Sequence, residues 1–412
     1  MGLYDPTGMK PILTVIANRP LNTFLPTGSH DTLDVLIRVQ VPQAESSQRQ
    51  PLDLALAIDV SGSMKGLPLE LAKAATKLIL SQLQPSDRIA LVTFHSHAEV
   101  VFPLQPVTDL AALERLVDGL RVGGSTALYA GWQTASSLLM PGALEGRLSR
   151  TLLLTDGRAN VGLRDPSGLA AQFSVAQIQG VSSSSVGVGL RYDEQLLEQL
   201  AGAGDGNYHF AERPDELSGI FEAELHSLRG TLGRRVSLGI KGAVVKDALN
   251  DLPRLSTGRS ALPPLRSGQT LDLVYRLEVQ AKTTLELRLA WDDHQGERQT
   301  ERLSIHLPAA PLNGSAPEHA EVVQARERLL VARAQREIAR LADVGDLSGA
   351  SVLISGLRNR LMVEGMRSGV SLQTELQQLA DLEARLRRHD RASVSKVARK
   401  QSYDKMTGRE QN

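Results

Sequence analysis

Strand-like and helix-like segments alternate through residues 52–228, and this alternation limits the possible folds more than any other feature of the sequence. The runs LDLALAIDV, RIALVTFH and RTLLLTD are aliphatic and predict strands, whereas LPLELAKAATKLILSQL has the periodicity of an amphipathic helix. Strands connected by helices form parallel sheets with helices on both faces. Continuous apolar runs agree with strands that are buried on both sides. The sequence therefore predicts a doubly wound, mostly parallel α/β sheet over residues 52–228.

Short strand patterns flank this region on both sides. The run TLDVLIRVQVP lies within residues 1–50, and TLDLVYRLEVQ lies within residues 229–310, where Gly, Pro and Ser separate similar runs. Such spacing is typical of an antiparallel β-sandwich. Because the two flanks are alike in pattern, we expect the α/β domain to be inserted into one sandwich built from both flanks. The alternative is a separate N-terminal hairpin.

The C-terminal region has a helical pattern. Leu and Val recur at three- and four-residue spacing through residues 316–395, which predicts a helical hairpin or small bundle. We place the helix breaks at Gly345 and Gly365, and we expect residues 396–412 to form a polar tail. The apolar stripe of these helices packs either on the sandwich or on a partner.

Composition excludes several classes of function. Lys plus Arg number 46, as do Asp plus Glu, so no net charge attracts the chain to nucleic acid or anionic membranes. The chain has no cysteine, which excludes disulfides and thiolate metal sites. No run approaches the ~18 apolar residues of a membrane span, and no secretory signal is recognisable. We therefore expect a cytoplasmic protein with no membrane span and no nucleic-acid partner.

Acidic and hydroxyl side chains stand where predicted strands end. Asp59 closes a buried strand, and Ser61 and Ser63 follow it directly. Asp156 closes the strand RTLLLTD, and Thr126 lies in the glycine-led loop GGSTALYAG. Ligands of open α/β sheets bind beyond the carboxyl ends of the strands. The sequence therefore predicts that these five side chains converge on one edge of the sheet.

The predicted ligands are all oxygen atoms. Such a set suits Mg²⁺, or else Mn²⁺ or Ca²⁺, and is unsuitable for Zn²⁺. Because hydroxyls outnumber carboxylates, the bound ion would keep positive charge, and a carboxylate of another molecule could complete its coordination. The motif DVSGS by itself also fits a simpler alternative, a turn and helix N-cap, since Asp and Ser favour those positions.

These residues resemble a known site. Asp59-x-Ser61-x-Ser63 with Thr126 and Asp156 resembles the metal-ion-dependent adhesion site of von Willebrand factor type A domains. The arrangement of the whole chain is similar to bacterial calcium-activated-chloride-channel-like and inter-α-trypsin-inhibitor-like proteins. The resemblance implies a non-enzymatic, Mg²⁺-dependent module that binds an Asp or Glu of a partner protein. It implies that the three hydroxyls contact the metal and that the two acids act directly or through water.

Other interpretations stay open. Ser125 is the neighbouring alternative to Thr126 as a ligand. The metal could instead stabilise a structural or assembly protein, or Asp59 could be the nucleophile of a Mg²⁺-dependent phosphatase, although such enzymes usually carry a second acid where this chain has Ser61. The basic stretch at 385–400 is interpreted as a solvated helix end, and the serines at 182–185 as small side chains packed under a helix.

Overall fold

The computed structural model describes residues 10–22, 30–43, 51–156, 159–188, 192–211, 230–280, 284–293, 296–309 and 317–408, with single positions at 216, 219, 220, 222 and 224. The chain divides into two compact units. The first, called the α/β unit, is Ser46–Gly230, and the second, called the sandwich unit, combines Met1–Glu45 with Thr231–Asn412. Most of residues 213–228, at the end of the region predicted to form the α/β sheet, lie outside the described residues.

The α/β unit contains the predicted parallel sheet. Its strands are β3 (Leu52–Asp59), β4 (Arg88–Phe94), β5 (Ala98–Gln105), β6 (Leu148–Thr155), β7 (Val181–Val188) and β8 (Asp205–Ala211), and its helices are α1 (Leu67–Gln82), α2 (Leu110–Asp118), α3 (Leu128–Leu144), α4 (Pro166–Ile178) and α5 (Glu194–Ala203). The strand order is β5-β4-β3-β6-β7-β8, and β5 alone among these strands is antiparallel to its neighbour. The prediction of a mostly parallel, doubly wound sheet is confirmed.

The central strands are buried because helices cover both faces of the sheet. Every residue of β3, β6 and β7 is buried. In contrast, β5 lies at the edge, is only partly buried, and contains Pro103, which cannot donate a backbone hydrogen bond. This distribution explains why continuous apolar runs in the sequence marked the interior of the sheet.

A buried polar cluster lies between β6, β7 and β8. Glu224 accepts hydrogen bonds from Arg150 Nη1 at 2.6 Å, Ser184 Oγ at 2.6 Å and Asn207 Nδ2 at 2.5 Å, and His209 Nε2 lies 2.9 Å away. The residue at position 224 is 2% exposed. Ser184 of β7 is therefore part of a polar network, so the serines of this strand are not only small packing residues.

The sandwich unit consists of two antiparallel sheets. The strands of the first are β1 (Ile12–Ala17), β2 (His30–Gln40), β13 (Thr270–Gln280) and β10 (Val244–Ala248), in this order, and those of the second are β11 (Ser260–Ala261), β9 (Thr231–Lys241), β14 (Thr284–Asp292) and β15 (Arg298–His306), with β12 (Leu265–Arg266) also pairing with β9. Leucine and valine from both sheets form one core, which includes Val35, Leu238 and Leu289.

Strands from before and after the α/β unit pair with each other. β2 and β13 are antiparallel over their whole length, from His30 opposite Gln280 to Gln40 opposite Thr270. The N-terminal strands β1 and β2 also pair as a hairpin, but this hairpin is part of a larger sheet rather than a separate element. The expected fold class, an α/β unit inserted into a β-sandwich, is confirmed. The individual domain boundaries stay predictions.

Four helices follow the strands of the sandwich unit, and the first and last of them pack on the outer face of its first sheet. They are α6 (Ala320–Val344), α7 (Leu347–Ser368), α8 (Gln373–Arg387) and α9 (Arg391–Thr407). Leu36 and Val274 from the sheet form a cluster with Val322 and Leu329 of α6 and with Met406 of α9. The apolar stripe of α6 therefore packs on the sandwich itself. Among the described residues, none of the helices combines the length and apolar character needed to cross a bilayer.

The structure differs from the sequence prediction at the C-terminus. Residues 396–407, expected in a polar tail, belong to α9, which begins after the N-cap Asp390. Their polar side chains have partners on α6: Lys405 Nζ donates to Gln335 Oε1 at 3.0 Å, and Arg399 Nη2 lies 2.6 Å from Asp343 Oδ2. The polar composition of residues 396–407 predicted a tail because the partners of these side chains on α6 are distant in the sequence, and no local pattern indicates them.

One predicted helix break was also wrong. α6 ends at Gly345, as expected, where φ is +84°. Gly365, however, lies inside α7, and the helix ends at Gly369, where φ is +70°. Glycine tolerates this left-handed conformation at a helix end, and the sequence offered two glycines four residues apart.

Candidate metal centre

The two acids lie at the ends of adjacent strands. Asp59 is the last residue of β3, and Asp156 follows directly after β6. These strands are parallel neighbours, with Ile58 opposite Leu154. Both acids are buried, with exposed fractions of 0% for Asp59 and 3% for Asp156. Parallel pairing therefore brings two carboxylates, nearly a hundred residues apart in sequence, to the same edge of the sheet.

Hydrogen bonds connect four of the five predicted residues. The backbone N–H of Ser61 donates to Asp59 Oδ1 at 2.8 Å. The hydroxyls of Ser61 and Ser63 lie 3.1 Å apart, and Ser63 Oγ donates to Asp156 Oδ1 at 2.8 Å. The short helical turn Gly62–Met64 places the two hydroxyls on the same side. The result is a continuous group of oxygen atoms running from one carboxylate to the other.

The loop of Thr126 is attached to this group through its backbone. Gly62 N donates to Gly124 O at 3.2 Å, and Gly123 N donates to Val60 O at 2.8 Å. Thr126 itself is 3% exposed. Within the described part of the chain, the hydrogen bonds of Thr126 are made by its backbone, and none is made by its hydroxyl. This oxygen is therefore available to a ligand.

The helix N-cap alternative is not what the structure contains. Helix α1 begins at Leu67, and its N-cap is Gly66, at φ 89°. Ser61 precedes the short turn but makes no capping hydrogen bond with its side chain. The polar groups of the DVSGS motif therefore face each other and Asp156 rather than a helix terminus.

Asp59 has an unusual ionisation equilibrium. Burial raises the pKa of Asp59 to about 6, and the negative charge of Asp156 acts in the same direction, although hydrogen bonds from Thr155 and Ser61 oppose the rise. Two buried carboxyl groups connected by hydroxyls are costly to ionise together. A cation placed among these oxygens would remove that cost, since opposite charge favours the ionised form.

Sequence reasoning missed two residues that position the site. Thr155 Oγ1 donates to Asp59 Oδ2 at 2.6 Å and so fixes the orientation of the carboxylate. Asn160 Oδ1 accepts from Thr126 N at 2.7 Å, and Asn160 N donates to Thr126 O at 3.0 Å. Thr155 immediately precedes a predicted site residue, which was a usable signal. No sequence pattern connected Asn160 with a loop more than thirty residues earlier.

The donor set is chemically selective. It consists of carboxylate and hydroxyl oxygens, the ligands that Mg²⁺, Mn²⁺ and Ca²⁺ prefer. In the part of the chain that the structure describes, no group of three or more His, Cys, Asp and Glu side chains is arranged to hold a metal ion. The site with two carboxylates at Asp59 and Asp156 thus suits a hard divalent cation held partly by neutral oxygens.

The fold and this edge of the sheet define the class of protein. Residues 53–223 match the family model described as von Willebrand factor type A domain. The resemblance to von Willebrand factor type A domains noted in the sequence is therefore confirmed over residues 53–223. A solved structure, a von Willebrand factor type A protein from Catenulispora acidiphila, covers 93% of this chain and 91% of its own, with a TM-score of 0.67 and 19% identity. That likeness shows a shared fold.

Two curated relatives are similar to part of this chain. The uncharacterized protein YfbK of Escherichia coli (strain K12) is 30% identical over 199 residues, which are 48% of this chain and 35% of YfbK. The uncharacterized protein sll0103 of Synechocystis sp. is 28% identical over 229 residues, which are 56% of this chain and 51% of that protein. The matches thus span between a third and about half of the length of these relatives.

Proposed function

We propose that this protein binds a divalent cation, Mg²⁺ in the first place with Mn²⁺ or Ca²⁺ as alternatives, through Asp59, Ser61, Ser63, Thr126 and Asp156. The bound ion would in turn bind an Asp or Glu side chain of a partner protein, without catalysis. The observation that supports this most is the hydrogen-bonded group of oxygens that connects the buried carboxylates of Asp59 and Asp156 through the hydroxyls of Ser61 and Ser63.

Charge favours a ligand that is itself acidic. Neutral hydroxyls contribute no negative charge, and carboxylates that act through water neutralise an ion less than those in direct contact. A hard cation held in this way attracts a further oxygen anion, and a carboxylate is the anion that protein surfaces supply. Ser63 is exposed at the rim of the site, so an approaching partner has access to this edge.

Metal binding is tested first, by titrating Mg²⁺ and Mn²⁺ into the full chain in a calorimeter. We expect one site in the unchanged protein, and we expect its loss in Asp59→Ala and Ser61→Ala. The matched control is Asp118→Ala, which removes an exposed carboxylate elsewhere in the α/β unit. Equal binding by all of these proteins would contradict the assignment of the site.

Partner binding is tested by affinity purification with the tagged full chain in Mg²⁺ and in EDTA. A specific partner should be retained in Mg²⁺, should be lost in EDTA and with Asp59→Ala, and should still bind Asp118→Ala. A partner that binds equally in EDTA would contradict a metal-bridged contact.

Two alternatives give different results in the same experiments. If the metal only stabilises the fold, Mg²⁺ will raise the melting temperature but no partner will depend on it. If the protein is a Mg²⁺-dependent phosphatase, it will hydrolyse a phosphate ester and Asp59→Asn will abolish turnover. We disfavour catalysis because the position of the second acid is occupied by Ser61, which hydrogen-bonds to Ser63 within the site.

A further inference from the structure

The basic stretch at 385–400 does not act as one charged surface. Four of its cations have carboxylate partners on the helices of the sandwich unit: Arg385 with Asp381, Arg387 with Glu383, Arg399 with Asp343, and Lys400 with Asp404. Lys396 is fully buried. Arg387 and Arg388, at the end of α8, line a groove.

This groove lies between α7 and α8 and has a volume of about 530 Å³. Its lining residues are Arg358 of α7, together with Ala380, Glu383, Ala384, Arg387 and Arg388 of α8 and its C-terminus. Protein sites for small groups commonly have volumes of roughly 300–1,000 Å³. The two alanines leave room between the helices, and the remaining lining residues are all charged.

Positive charge exceeds negative charge in the groove by two. Three guanidinium groups face one carboxylate, and Glu383 pairs with both Arg358 and Arg387. The hydrogen bond from Arg387 lowers the pKa of Glu383, so this carboxyl stays ionised near neutral pH and the charge balance holds. The Arg388 side chain has no ion-pair partner among the described residues.

The guanidinium groups have donors that the protein does not use. Nε of Arg358 is buried without a hydrogen-bond acceptor. The Arg387 side chain is 76% exposed, so only part of its planar donor array is taken up by Glu383. Arginine binds phosphate oxygens through such paired donors more effectively than lysine does.

A simpler explanation accounts for only part of this arrangement. Cations at the end of a helix favour its macrodipole, which explains Arg387 and Arg388. It does not explain Arg358, which comes from a different helix and faces the same groove. Nucleic acid is also a poor fit, because the lining has no aromatic side chain and forms a single groove rather than an extended basic track.

We propose that the groove between α7 and α8 binds a phosphate monoester dianion, supplied either by a phosphorylated side chain of a protein or by a small phosphate compound. Two excess positive charges match the two negative charges of such a group. The site lies in the sandwich unit and is independent of the metal centre.

The test uses the full chain and calorimetric titration with three probes: the peptide Gly-Gly-Ser-Gly-Gly phosphorylated on serine, the same peptide without phosphate, and inorganic phosphate. We expect saturable binding of the phosphorylated peptide and of inorganic phosphate, and no binding of the unphosphorylated peptide. Arg388→Ala should weaken it about tenfold, the effect of losing one charge-assisted hydrogen bond. Arg388→Lys should restore part of the affinity. Phosphopeptide binding tighter than inorganic phosphate identifies a protein source, and the reverse order identifies a small compound.

The matched control is Arg340→Ala, which removes an exposed arginine of α6 that pairs with Glu337. It should leave binding unchanged, and melting curves should show that both alanine variants are folded. Equal weakening by Arg340→Ala would overturn the proposal, since the effect would then be a general loss of charge. So would the absence of saturable binding of any phosphate up to ~10 mM. Tighter binding of a single-stranded oligonucleotide than of the phosphopeptide would overturn it in favour of nucleic acid.

Discussion

Replacing Glu224 by glutamine should destabilise the α/β unit by about 3–5 kcal/mol, the usual cost of breaking a buried ion pair by removing one charge. The carboxylate accepts hydrogen bonds from Arg150, Ser184 and Asn207, and His209 lies within hydrogen-bond distance. The glutamine side chain has one acceptor oxygen where the carboxylate has two, and in place of the second oxygen it presents an NH₂ group to neighbours that are themselves donors. Each buried group left without a partner costs about 1–3 kcal/mol, so two lost contacts and an uncompensated guanidinium account for the total.

The assay exploits the two tryptophans of the chain, Trp132 in the α/β unit and Trp291 in the sandwich unit. Trp132 stacks on Phe173 with ring centroids 4.0 Å apart, so its fluorescence should change when this unit unfolds. A Trp291→Phe background makes it the single reporter. Urea unfolding then compares Glu224→Gln with Glu145→Gln, an exposed control that should change stability by less than about 0.5 kcal/mol.

The pH dependence of the effect has a definite sign. The pKa of Glu224 lies well below its usual value, because Arg150 and the hydrogen bonds to the carboxylate outweigh the effect of burial. Its stabilising contribution is therefore fully present above about pH 4.5 and is lost as the pH falls through the folded-state pKa. The difference between the unchanged protein and Glu224→Gln should narrow on acidification. A loss below about 1 kcal/mol at pH 7, or a difference that widens in acid, would refute this account of the cluster.

Three further predictions concern the metal centre and the sandwich unit. In EDTA at pH 7.5, Asp59→Asn should raise the free energy of unfolding by about 2–3 kcal/mol, because the pKa of Asp59 is about 6 in the folded protein against an ordinary value of 3.8, which makes its ionisation costly. The gain should vanish near pH 4, and a gain that persists there would argue against this cause. Gly124→Ala should lower the melting temperature and weaken Mg²⁺ binding in calorimetry, since φ is +70° and a Cβ would lie 2.6 Å from Ser96 Oγ; unchanged binding would show that this loop is not needed. Met406→Ala should cost about 2–5 kcal/mol in an unfolding transition followed by Trp291 fluorescence, whereas a residue in a true tail would cost nothing.

The sequence predicted those features that depend on local pattern. Unbroken aliphatic runs marked strands such as β3 and β6, and a polar residue at the end of each run marked the edge where Asp59 and Asp156 meet. Features that depend on distant partners were not predictable in this way. The polar side chains of α9 predicted a tail because their partners lie on α6, far away in the sequence. Nothing near Arg150 in the sequence indicates that it pairs with Glu224, 74 positions away.

The pairing of β2 with β13 has a consequence for synthesis of the protein. His30 lies opposite Gln280, so the ribosome must add 250 residues before β2, which already pairs with β1, has its second neighbour. At about 5–20 residues per second this takes roughly 12–50 s, during which the apolar faces of the first two strands have no sheet to join. The inserted α/β unit can fold within this interval. A nascent chain is therefore most exposed to aggregation or chaperone capture at its own beginning, long after that part has left the ribosome.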